Sequence, residues 1–154
     1  MSDVDLERFL EPVHEHLDDV VHELTAGRKR THWMWFVFPQ LRTLGRSEMA
    51  RRYGLADLNE ARRFVLHAEL GPTYERFVAI VHDVVVRQDL LVHDVFGSPD
   101  DVKLVSSLTL FRAAAEREGL LELVERCREL LDVADRQGLP RCAVTIAALE
   151  AAVG

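Results

Sequence analysis

Apolar residues recur along the chain at intervals of three and four rather than two, the spacing at which side chains return to one face of an α-helix. Leu6, Phe9 and Leu10 form a lead-in turn before Pro12, a residue suited to the first turn of a helix. Val13, Leu17, Val20, Val21 and Leu24 then trace one face as far as Gly27. Asp57-Leu-Asn-Glu60 has the form of a capping box, in which two side chains satisfy the free amides of a helix start, and Ala61, Phe64, Val65 and Ala68 follow it. From Gly71-Pro72 the apolar set Tyr74, Phe77, Val78, Ile80, Val81, Val84 and Val85 runs nearly all round the predicted helix, marking it as the central one. After a short piece at Leu90 to Phe96, Ser98-Pro99-Asp100-Asp101 sets a hydroxyl, a proline and two acids in the order a helix start prefers. Ser98 is the expected cap of a helix reaching about Glu118. Leu120 to Arg136 and Pro140 to Val153 read as two more helices.

The segment Thr31 to Gln40 is harder to place. Thr31 can cap a short helix through HWMWFVF, which Pro39 prevents from continuing, and a strand is the competing reading. Ser47 opens a short turn through Tyr53, stopped by Gly54. With no convincing alternating strand elsewhere, the pattern predicts an all-α fold: a single compact domain over residues 1–154, built of seven or eight helices without significant sheet.

Composition adds constraints. A chain of 154 residues supports one core, and 48% hydrophobic with 29% charged residues is ordinary for a globular protein. The longest uncharged run, Thr31 to Leu41, falls well short of the roughly 20 apolar residues of a spanning helix. The acidic N-terminus lacks the basic start and apolar stretch of a secretory signal, so a cytoplasmic setting is expected, with Cys127 and Cys142 as reduced, structural thiols. The net charge of −7 argues against general nucleic-acid binding. It is unevenly spread: Arg28 to Arg63 carries nine basic residues against three acidic, a local balance of +6 that leaves −13 for the remainder.

Several chemistries are weakened by spacing. Glu11-x-x-His14 has the carboxylate–imidazole interval of di-iron bundles, but its one echo, Asp19-x-x-His22, lies on the same helix, so no metal is expected. Gly27-Arg28-Lys29-Arg30 matches neither phosphate-binding glycine motif, and no cofactor is expected. Gly97-Ser98-Pro99 offers a cap rather than a nucleophile turn. What remains is a cationic turn beside Trp33 and Trp35, charge for an anion and flat faces for stacking. The alternative is two core tryptophans beside a solvated basic turn, and two aromatics two apart on a helix cannot share a face, which puts at least one in the core. On the helix after Ser98, the polar residues Lys103, Ser106, Ser107 and Thr109 are interleaved with Leu104, Val105, Leu108 and Leu110. They either line a small polar pocket, or the hydroxyls bond back to the helix and Lys103 pairs with Asp100.

Three strings, GRKRTHWMWFVFPQL at 27–41, LGRSEMARRYG at 44–54 and VFGSPDDVKLVSSLTLF at 95–111, together with LNEARRFVLHAELGP between them, resemble a family of small, mostly bacterial proteins catalogued as domain of unknown function 1810. Some members carry a calpastatin label that conveys no activity. The resemblance spans roughly Leu6 to Leu149 and implies an all-helical fold, a cytoplasmic setting and no established activity. The family's recurrent polar positions correspond to Lys29, His32, Gln40, Ser47, Tyr53, Asp100, Lys103, Ser106, Ser107 and Thr109. The chain departs at Val105, where a basic residue is usual, and at Leu108, where methionine is usual, so an anion bound through that basic position would be held less well here.

Three functional expectations follow. In the first, the Trp segment meets the helix after Ser98 at a pocket for a small anionic, nucleotide-derived ligand. Lys29 and Lys103 neutralise charge, Trp33 or Trp35 stacks, Gln40, Asp100, Ser106, Ser107 and Thr109 line the site, and His32, the set's one imidazole, is the general acid or base of any chemistry. In the second, the basic stretch 28–63 docks an acidic protein or a nucleic acid. In the third, His32, Gln40 and Ser106 form one buried hydrogen-bond network that serves folding alone.

Overall fold

Helical periodicity becomes helical structure throughout residues 5–153, the residues described by a computed structural model of the chain. A 3-10 turn at Asp5–Phe9 leads into α1 (Leu10–Thr25), followed by α2 (Met34–Val37), α3 (Glu48–Tyr53), α4 (Leu58–Leu66) and α5 (Leu70–His82), which runs on through a π-helical turn at Asp83–Arg87. The rest is α6 (Val92–Phe96), α7 (Asp100–Glu118), α8 (Leu121–Arg136) and α9 (Ala143–Val153). The fold is all-α, and the count among the described residues reaches nine because single-turn pieces such as α2 stand as helices of their own. No helix among the described residues is long and apolar enough to cross a membrane.

Local capping signals succeed at two of the expected helix starts, although Glu60 also accepts from Arg8 at 3.3 Å. Asp57 accepts the Glu60 amide at 2.9 Å while Glu60 accepts the Ala56 amide at 2.9 Å, and Ser47 accepts the Ala50 amide at 3.1 Å. Two expected caps do not form. The Ser98–Pro99 peptide is cis, Ser98 is exposed, and the amides of Asp101 and Lys103 donate instead to the carbonyls of Gly97 and Pro99 at 2.8 and 3.1 Å. Thr31 turns its hydroxyl away from α2 and donates to Glu23 at 2.6 Å.

The central place, expected for the helix from Gly71, belongs to α7. Every residue from Leu104 to Phe111 is buried, because α4, α8 and α9 all pack on this helix. Its hydroxyls can enter the core because each has a partner: Ser107 meets Tyr74 at 3.0 Å, Ser106 meets Thr145 at 3.1 Å, and Thr109 donates to the Val105 carbonyl at 2.7 Å. α5 supplies Tyr74, Phe77, Val78 and Val81 from one side, with Tyr74 stacked on Phe111 at 4.1 Å between ring centroids. α4 and α5 meet so closely at Gly71 that a Cβ there would overlap the Val65 carbonyl oxygen.

Residues 41–55 form a strap over this core. A single parallel bridge joins Leu41 to Leu55, with the Arg42 amide donating to Leu55 at 2.8 Å and the Leu55 amide to Gln40 at 2.9 Å, so the strap's two ends are pinned together. α9 lies at the periphery and buries Thr145.

Candidate functional site

The Trp segment is organised by an acid. On α1, Glu23 sits in the buried stripe with Val20 and Leu24. Its carboxylate accepts the Arg30 amide at 2.7 Å, the Thr31 amide at 2.9 Å, the Thr31 hydroxyl at 2.6 Å and the Trp33 indole N–H at 3.0 Å. Burial alone would raise its pKa, but the hydrogen bonds from Thr31, Arg30 and Trp33 outweigh burial and hold it at about 2. A permanent anion therefore fixes the turn over 30–33 and turns the Trp33 ring wholly into the core.

Next to it, the Lys29 ammonium lies 2.9 Å from the Asp100 carboxylate and 4.9 Å from the Trp33 ring centroid, with only 7% of its side chain exposed. The other Asp100 oxygen is 4.0 Å from the Lys103 ammonium, which stands 5.9 Å from the Trp35 ring centroid. One carboxylate between two ammonium groups leaves a surplus positive charge, and it resides on Lys103, the more exposed of the two.

Lys103 and Gln40 line two cavities at once. One is an apolar slot walled by Met34, Trp35, Phe38, Leu41 and Tyr53, with space of about 20 Å³, room for roughly one water. The other is an open cleft of about 270 Å³, mostly apolar in its surface, that adds Leu44, Pro99, Val102, Ser106, Pro140, Arg141 and Cys142. Arg141 is oriented by a two-pronged pair with Asp135, at 2.7 and 2.6 Å. Burial would raise the pKa of the Cys142 thiol, yet hydrogen bonds from the Thr145 hydroxyl (3.1 Å) and amide, the Ser106 hydroxyl and the Val144 amide bring it below the usual thiol value. Cys127, by contrast, is sealed in the core and pushed up to about 12 by burial.

Of the residues flagged from sequence, Lys29, Trp35, Gln40, Asp100, Lys103 and Ser106 gather around these cavities. The others go elsewhere. Trp33 is core and bonded to Glu23, which leaves it no free face for stacking. Ser107 is buried against Tyr74, and Thr109 bonds back to its own helix. His32 is exposed on the turn and lines neither cavity, a position that suits neither a general acid or base of this site nor a buried network with Gln40 and Ser106. Val105, at the position where a basic residue is usual, faces the core. Among the described residues no three His, Cys, Asp or Glu side chains come together as a metal ion requires, and His14 pairs with Glu69 at 3.0 Å.

Sequence reasoning passed over Glu23 and Arg141, and read Cys142 as a structural thiol only. Glu23 left a readable trace, an acid inside an apolar stripe. Arg141 and Cys142 left none, since they reach the cleft only because the chain returns there from α8.

Residues 3–129 match the family model described as Protein of unknown function (DUF1810). No curated protein matches the chain. Among solved structures, the chain is similar to a conserved hypothetical protein from Mycobacterium tuberculosis, at 39% sequence identity and a TM-score of 0.79, over 95% of this chain and 96% of that one.

Proposed function

The chain belongs to the DUF1810 family, and as membership brings no assigned activity, we propose from the geometry that it binds a small anionic metabolite of the cytoplasm in the open cleft beside Trp35. The observation that carries this reading is the pair of cavities sharing Gln40 and Lys103, one an open cleft where Lys103, Arg141, Gln40 and Ser106 stand among apolar side chains, the other a slot of aromatic and apolar side chains. Such a pairing of a few placed polar groups with an apolar wall is the usual make-up of a small-molecule site. In this reading the anionic group lies against Lys103 and Arg141, Gln40 and Ser106 fix its orientation, and Lys29 keeps the Asp100 charge from repelling it. The slot as it stands accepts only the edge of an apolar group. A nucleotide-derived ring requires the strap wall of Ala50, Tyr53 and Gly54 to shift outward.

A thermal-shift screen of nucleotides and phosphorylated metabolites against wild type and Lys103→Ala tests the proposal. A ligand at about 100 times its Kd stabilises the folded state by about 2.7 kcal/mol, and the shift is expected to shrink strongly in the variant. A screen without any stabilising anion, or a shift that Lys103→Ala leaves intact, rejects this site.

A further inference from the structure

The basic residues of the 28–63 stretch do not share one fate. Lys29 is buried against Asp100, Arg62 pairs with Glu118 at 2.7 Å, and Arg63 is half-buried. Arg28 and Arg30 stay exposed on the turn after α1, and the strap carries Arg42, Arg46, Arg51 and Arg52, all exposed and none of them ion-paired among the described residues, against the single acid Glu48. The strap is also folded tightly on itself. A Cβ on Gly54 would overlap the Arg42 backbone, and one on Gly45 would overlap the Ala50 side chain. Arg42 is thereby set beside the C-terminal end of α3, which carries Arg51 and Arg52, while Arg46 directly precedes the Ser47 cap at the start of α3. Four exposed guanidinium groups are carried on a pinned backbone, so less backbone ordering entropy is lost on binding an anion than from a loose loop.

The borders of this face select the partner. Arg8 donates to the Arg52 carbonyl at 2.8 Å and to the Gly54 carbonyl at 3.1 Å, which brings the Asp5–Phe9 turn, with exposed Asp5 and Glu7, against the strap. A long polyanion would continue past the arginines onto these acids, on a chain whose net charge is −7. A nucleic-acid strand, with a phosphate about every 3.4 Å, meets that repulsion. It also finds no aromatic platform on the strap, since Tyr53 is buried against Phe9 and Phe36. A short run of acids meets neither obstacle. We propose that the strap is a docking face for a short acidic segment of a partner protein, recognised by Arg42, Arg46, Arg51 and Arg52. The proposal uses none of the cleft residues Lys103, Arg141 and Ser106, so the two readings stand or fall separately.

The test is fluorescence anisotropy of the full chain with labelled hexaglutamate, with hexaglutamine and a thymidine hexanucleotide as comparisons. Hexaglutamate is expected to bind in low salt, to weaken steeply as salt rises, and to bind more tightly than either comparison. The pair Arg51→Glu/Arg52→Glu should reduce its affinity at least about tenfold with only a small loss of Tm, because neither side chain is ion-paired and Arg52 gives up only its exposed place over the Tyr53 ring, 5.4 Å from the centroid. Should that pair disturb α3, Arg42→Gln/Arg46→Gln carries the same expectation in milder form. Retained affinity in both pairs, equal binding of hexaglutamine, or tighter binding of the hexanucleotide would each overturn the proposal.

Discussion

Glu23 shows how much of this molecule depends on one ionised side chain. Four donors converge on its carboxylate, and three of them belong to the backbone and hydroxyl groups of the turn that leads into α2. Its pKa is near 4.5 in the unfolded chain and about 2 in the folded one. A depressed folded value means that the stabilisation is fully present above the unfolded pKa and is lost as pH falls from about 4.5 towards about 2. The shift corresponds to about 3 kcal/mol. Glu23→Gln keeps one acceptor oxygen and leaves some of the donors unsatisfied, so a cost of about 1–3 kcal/mol is expected at neutral pH, with a flattened acid limb. Urea denaturation across the acid range measures both. A variant whose stability falls with acid as steeply as the wild type's would assign the acid sensitivity to other carboxylates.

At the level of elements, the same chain shows where short-range signals decide and where they yield. The caps at Ser47 and Asp57 were legible because donor and acceptor lie within one turn, and no distant group competes for them. Thr31 and Ser98 looked equally good. Thr31 is claimed by Glu23 from eight residues away, and the chain reaches α7 through a cis proline with the Gly97 carbonyl as acceptor. The place of α7 was hidden for a related reason. Its serines and threonine read either as the lining of a small polar pocket or as groups bonded back to the helix; Thr109 does bond back, but only the partners Tyr74 and Thr145, which are 33 and 39 residues away from the serines they meet, place Ser107 and Ser106 in the core. The meeting of α4 and α5 makes a further prediction. Gly71→Ala improves helix propensity by about 0.5–1 kcal/mol, but the added methyl overlaps the Val65 carbonyl, and overpacking costs about 1–3 kcal/mol. The clash wins because the obstacle is backbone and cannot rotate away, so a net loss of about 1–2 kcal/mol is expected in chemical denaturation. A neutral or stabilised variant would mean that the two helices are free to slide apart.

Across the whole molecule, the division between core and site follows the division between what was and was not legible. The all-α fold and most of the apolar positions could be read from periodicity, because burial of one face is written into spacing. Lys29, Trp35, Gln40, Asp100, Lys103 and Ser106 could be nominated for the site, but not separated from Trp33, Ser107 and Thr109, since the direction of a side chain on α7 depends on which neighbours surround that helix. The far wall of the cleft, Arg141 and Cys142, comes from the approach to α9, past the end of the family match at residue 129. That helix buries Thr145 and only partly covers Leu149, so it contributes little to the core and one side of the cleft. A chain ended at Pro140 is therefore expected to remain folded, with a loss of about 1–2 kcal/mol, the order of magnitude for removing one partly buried apolar side chain. It should lose the response to any anion that stabilises the full chain, because Arg141 goes with the deleted segment. Circular dichroism reports the fold, and thermal shift with the same compound reports the site. Collapse of the helical signal would make α9 part of the core, and a full ligand response in the shortened chain would move the binding site away from the cleft.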